Sequence, residues 1–293
     1  MISGGDVALL YDSHLAAGGE KSRGTAVLGN AKLAGQTGAA VSALLGGAVV
    51  ILSYGHLLWA NAIMSWIPML LVLRLSEPPA ALDRGKKRSE ELKEVLATTL
   101  VRDAATRLVF LNLVAWGVAG FVMVWTNPKY WQDSGVPLAD FGVLWASYNL
   151  IVGFAGRSAA LVSARYGRRP LLAAVGVLPI IAYFGMASFL GWGGILFGTL
   201  VQVSWGLGQV LFLDALNEKT FSAFRATVIS MANLGIRASF CLLGPLVGYG
   251  IDAWGLPSVL SALGILFSIA FVVLLLPLVV RERSLSPAEG VNQ

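Results

Sequence analysis

Eight stretches of this chain are each apolar over about 20 residues, the length an α-helix needs to cross the hydrocarbon core of a bilayer. They run over about 33–54, 57–73, 108–126, 139–163, 171–190, 194–216, 227–250 and 257–280. Backbone groups in hydrocarbon must be satisfied within the segment, and the strict alternation of a membrane β-barrel is absent, so each stretch is predicted to be a helix. Composition agrees: 13% of the residues are charged and 56% hydrophobic, whereas a soluble domain carries about a quarter charged residues. The expected class is therefore an all-α integral membrane protein with the lipid bilayer as its solvent. Pro68, Pro179 and Pro245 fall inside spans, where neighbouring helices tolerate kinks.

Charge sets the expected orientation. When the spans alternate with residues 13–32 inside, all of the 21 lysines and arginines except Lys129, Arg157 and Arg237 fall on one side. The positive-inside rule makes that side the cytoplasm and places the C-terminus there. Lys21, Arg23 and Lys32 count in this scheme as loop cations. Met1 and Ile2 lead into SGGDVALLYD without a basic region, short apolar segment and cleavage site, so insertion is expected to rely on the spans themselves, and the strong charge bias without an organelle-targeting segment makes a bacterial cell (inner) membrane, crossed many times, the expected location. The net charge of +5 is accounted for by these loops and calls for no nucleic-acid partner.

Chemistry-bearing motifs are few. One cysteine, Cys241, and two isolated histidines, His14 and His56, exclude a disulfide framework and a Cys/His metal cluster. There is no G-x-x-x-x-G-K-[ST], H-E-x-x-H or G-x-S-x-G. An enzyme, a cofactor and a bound metal are not expected.

The longest polar stretch, 74–107, divides the chain. Pro78 and Pro79 interrupt structure, DRGKKR is basic, and SEELKEVLATTLVRDAATR has helical amphipathicity, with Ser89 as cap and Leu92, Val95, Leu96 and Leu100 on one face. A cytoplasmic linker with a surface helix is predicted, separating a partial N-terminal transmembrane bundle (1–73) from a C-terminal six-helix bundle (108–281). A cytoplasmic tail follows at 282–293.

The chain also repeats itself. An offset of 202 places Asp12 on Asp214, Arg23 on Arg225, Thr25 on Thr227 and Gly46 on Gly248, with 11 positions from acid to base in both copies. Each copy ends an apolar run on an aspartate, crosses a loop and enters the next span just after an arginine. Two structurally equivalent halves follow.

With ALLYD and its basic loop, RATVIS at 225–230 and RYGRRP at 165–170, the sequence resembles the major facilitator superfamily (MFS), built from two parallel repeats of six spans. RYGRRP resembles the end of that family's G-x-x-x-D-R/K-x-G-R/K-R/K loop. Ala160 and Ala164 stand where its glycine and aspartate belong, so the charge relay tied to that aspartate is not expected. The resemblance implies an MFS-type helical bundle with a complete C-terminal half and an incomplete N-terminal half. The first three and a half helices would be absent, because Met1 aligns with Val203 in mid-span and the counterpart of Arg107 would lie about 95 residues before Met1.

In that family the first, fourth, seventh and tenth helices line a central cavity, which implies residues 1–12, 108–126 and 194–216 here. Asn112, Trp116 and Met123 share one helical face, as do Gln202, Trp205 and Gln209. These amides and indoles either face a moderately apolar organic substrate or hold neighbouring helices together. Arg237 lies 12 residues past Arg225, about 18 Å along its helix, and either receives an anionic group or pairs with a buried acid. Arg157 is close enough to the loop for its stem to snorkel. Asp6 is the acid within a span and the candidate for a coupling proton, with a structural role as the alternative. Asp12, Arg23, Asp214 and Arg225, with Arg165, Arg168 and Arg169, form a candidate cytoplasmic gate. Gly194 with Gly198 and Gly244 with Gly248 suit close helix packing, and Tyr130, Trp131 and Trp254 suit interfacial anchors.

The function these residues predict is a permease moving a small solute by alternating access, driven by a proton or sodium gradient, with efflux preferred. The alternative is a non-transporting membrane protein, a scaffold or relic, whose short first half encloses no site.

Overall fold

The computed structural model describes residues 4–20, 23–50, 53–73, 97, 103–220 and 222–285. The amphipathic segment expected over 89–107 lies outside the described residues apart from Ala97 and 103–107, as do most of the linker and residues 286–293. Among the described residues there is no strand, and seven helices are long and apolar enough to cross a membrane. The chain is a helical, multi-pass membrane protein.

The helices are α1 (Gly4–Ala16), α2 (Gly24–Val50), α3 (Tyr54–Met64), α4 (Trp66–Val72), α5 (Ala104–Asp133) and α6 (Phe141–Tyr166). They continue with α7 (Arg168–Ser188), α8 (Trp192–Lys219), α9 (Ser222–Trp254) and α10 (Leu256–Ala270), which runs through a π turn at Phe271–Leu275 into α11 (Leu276–Leu285). Local chemistry fixes the ends. Ser53 caps α3 by accepting the His56 N–H. Asp103 caps α5, accepting the Ala105 N–H at 2.9 Å and the Thr106 hydroxyl. Gly167, at φ 81°, turns α6 directly into α7 in the RYGRRP segment, a backbone conformation that side chains disfavour.

Packing centres on α8, which touches α5, α6, α7 and α2. Small residues make this possible. A Cβ on Gly206 would lie 2.3 Å from the Val152 carbonyl, and one on Gly29 would lie 2.6 Å from that of Gly156. The backbones of α2, α6 and α8 therefore meet directly, which is how helices gain dispersion contact where lipid offers no hydrophobic drive. Gly194 and Gly198 take the Tyr130 and Tyr148 hydroxyls in the same way, whereas Gly248 faces open space.

The aromatic residues expected to anchor the chain at the interface divide. Trp254 is exposed, but Tyr130 and Trp131 are fully buried. The Trp131 ring stands edge-on to Phe141, Trp145 and Tyr148 at 5.3, 5.0 and 5.6 Å, and the Tyr130 hydroxyl donates to the Phe189 carbonyl. α5 extends through Pro128 to Asp133, which carries both aromatics into the contact with α6 and α7. By contrast the Gly55–Val72 span has no buried residue.

Candidate functional site

The repeated Asp and Arg residues meet at the basic end of the bundle. Asp12, near the end of α1, is ion-paired with Arg225, at the start of α9. The guanidinium also donates to the Asn217 carbonyl at 3.1 Å and lies 4.8 Å over the Tyr11 ring. On the equivalent side, Asp214 of α8 accepts the Thr25 hydroxyl of α2. Asp12 of α1 thus reaches the start of α9, and Asp214 of α8 the start of α2. The crossing is not symmetric, because Arg23 is exposed and Thr25 takes the place that Arg225 holds opposite.

Gly24 allows this approach: a Cβ there would lie 2.4 Å from Asp214 Oδ1 and 2.8 Å from the Tyr11 ring. The RYGRRP loop supports the clasp unevenly. Arg168 donates to the Leu211 carbonyl at 2.8 Å and lies 3.8 Å from Glu218, while Arg165 and Arg169 are exposed.

Beyond the clasp, between α1 and α2 on one side and α6, α8 and α9 on the other, is a cavity of about 510 Å³. That is the size of a site for a small organic molecule. Its walls include three pairs of positions related by the repeat. Val7 and Gln209, Ala31 and Asn233, and Gly35 and Arg237 are each related by the offset of 202, and all six line it. Leu10, Leu28 and Leu213 give it apolar surface, and Gln36, Asn149, Gln209 and Asn233 supply carboxamides.

Three charged residues border the same space: Asp6, Lys32 and Arg237. Lys32 was counted from sequence as a loop cation. α2 begins at Gly24, however, so Lys32 stands eight residues, about 12 Å, inside the helix. Its stem lies against Gly156, where a Cβ would meet Lys32 Cγ at 3.0 Å, and its ammonium is 5.4 Å over the Trp205 ring. Among the described residues it has no carboxylate partner.

The other candidates distribute as follows. Gln209 and Arg237 line the cavity, and Asp6 sits at its α1 wall. Trp116 and Trp205 meet Gln209 at a narrow crevice between α5 and α8. Asn112 is fully buried and turned to helix packing: its amide donates to the Leu108 and Leu274 carbonyls at 2.8 and 2.9 Å and accepts the Trp116 indole N–H at 3.0 Å. Gln202 is buried away from the cavity, with its Nε2 unpartnered. Lys32, Gln36, Asn149 and Asn233 were not singled out from sequence. Lys32 with Gln36, and Asn233 with Arg237, are four apart, a spacing that marks a shared face once the helix start is known.

Among the described residues no group of three His, Cys, Asp or Glu could hold a metal ion. Comparison with known protein families and with curated proteins finds no match for this chain.

Proposed function

We propose that the protein is a solute permease of the MFS type, working by alternating access in the cell membrane with the clasp at the cytoplasmic end. The observation that carries the reading is the cavity itself. It lies between α1 and α2 on one side and α6, α8 and α9 on the other, is lined by positions that the offset of 202 relates, and the Asp12–Arg225 and Thr25–Asp214 contacts tie the same two sides together. Paired repeats that rock about a central site need this arrangement: a binding volume at the seam, and contacts across the seam that can break. Asp6, on the cavity wall, is the coupling candidate for a proton or sodium ion.

The rocking is testable without knowing the solute. Spin labels at Ala17→Cys on the α1 end and Lys219→Cys on the α8 end, in a Cys241→Ser background, report the opening of the clasp. Two distance populations are expected, with Asp12→Asn shifting weight to the longer one. A single population that ignores Asp12→Asn would sink the permease reading.

A second reading keeps some support. The α9 face that carries Leu234, Leu242, Leu246 and Tyr249 is exposed, and the Gly55–Val72 span has no buried residue. A bundle this open on its first-half side suits a non-transporting scaffold, which the same measurement would then favour.

A further inference from the structure

We infer that the ligand of this cavity is a small organic anion, with its acidic group held at Lys32 and its apolar part against the leucines of α1, α2 and α8. The inference rests on the permease reading for the cavity being open to water, and adds the sign of the solute.

Lys32, from α2, and Asp6, from α1, both border the space, and they form no ion pair with each other. Lys32 is the decisive group. A cation held half-buried against apolar and aromatic groups is costly unless it is paired, and no described carboxylate pairs with it. The Trp205 ring beneath it compensates only in part. Its position is built rather than incidental: Gly156 leaves room for the stem, and Trp205 in turn lies on Gly120, where a Cβ would be 2.9 Å from the indole.

Charge-selective labelling tests this. Gln36→Cys, and separately Ala39→Cys should the first fail to fold, is placed in the Cys241→Ser full-length protein in neutral-lipid nanodiscs. Its rates with an anionic and a cationic methanethiosulfonate reagent are compared with those of a free thiol. The anion-to-cation rate ratio is expected to exceed that of the free thiol by about tenfold, and Lys32→Gln is expected to remove most of the excess. A ratio no higher than the free thiol's overturns the anion assignment and leaves the permease reading intact. If neither reagent reaches the site, the cavity is closed to water and both fall. Loss of the preference only in discs containing phosphatidylglycerol would put a lipid phosphate at Lys32 and overturn the assignment to a solute.

Discussion

Asp12 and Arg225 form an ion pair across 213 positions of sequence, and the two ends of that pair are unequally buried. The Arg225 side chain is 5% exposed and that of Asp12 23%. Removing the acid strands a buried cation, whereas removing the arginine leaves an acid that water can reach. We expect Asp12→Asn to cost about 3 kcal/mol and Arg225→Gln about half that. Thermal unfolding of both variants in one detergent checks the order. Equal losses would mean that burial does not set the cost.

Gly24 and Gly38 make a matched comparison. A Cβ at Gly24 meets Asp214 Oδ1 and Tyr11, while one at Gly38 meets nothing within 4 Å. Gly24→Ala should destabilise by about 1–3 kcal/mol through overpacking. Gly38→Ala, in the middle of α2, should stabilise by up to about 1 kcal/mol through helix propensity. The measurement is again the unfolding midpoint, and a shift of the same sign for both would contradict the contact geometry.

Asn112 and Gln209 separate packing from cavity. Asn112→Ala leaves the buried Trp116 indole without its acceptor and takes one donor from the Leu274 carbonyl, a loss of about 1–3 kcal/mol in stability. Gln209→Ala opens onto the cavity and should leave the unfolding midpoint within about 0.5 kcal/mol of the parent's. The reverse ranking would exchange their roles.

Asp103 gives a pH dependence with a fixed sign. The Thr106 hydroxyl, and after it the Ala105 and Thr106 amides, hold its carboxyl below the ordinary 3.8. A depressed folded-state pKa contributes stability that is fully present above the unfolded value and is lost as pH falls through the folded one. Asp103→Ala should therefore cost about 1 kcal/mol at neutral pH, with Asp103→Asn retaining most of it. The gap between parent and Asp103→Asn should close below the ordinary carboxylate range. Unfolding midpoints at pH 7 and pH 3 measure both effects.

Seven of the eight expected spans were legible because those apolar runs are long enough to cross hydrocarbon and have to satisfy their own backbone, whereas the helix over the run expected at 33–54 is not among the seven apolar enough to cross. Their starts were not always legible. α2 begins at Gly24 rather than near 33, since Asn30, Lys32, Gln36 and Thr37 lower the hydropathy of a segment whose polar groups point partly at protein and cavity instead of lipid. That one boundary removed Lys32 from the list of candidate residues. Tyr130 and Trp131 misled in the opposite sense: aromatics at the end of an apolar run suit a membrane interface, and only the packing of α5 on α6 and α7 buries them.

By itself the sequence determined a membrane-spanning helical chain, the equivalence of Asp12 with Asp214 and of Arg23 with Arg225, and a basic end. Apolar length, charge placement and repetition are local or one-dimensional properties. Tertiary structure alone decided that Asp12 crosses to Arg225 while Arg23 stays exposed, that Asn112 ties helices together, and that Lys32 shares a cavity with Arg237. Helical spacing states which residues share a face, but which face meets which neighbour depends on where glycines such as Gly29, Gly156 and Gly206 let backbones approach.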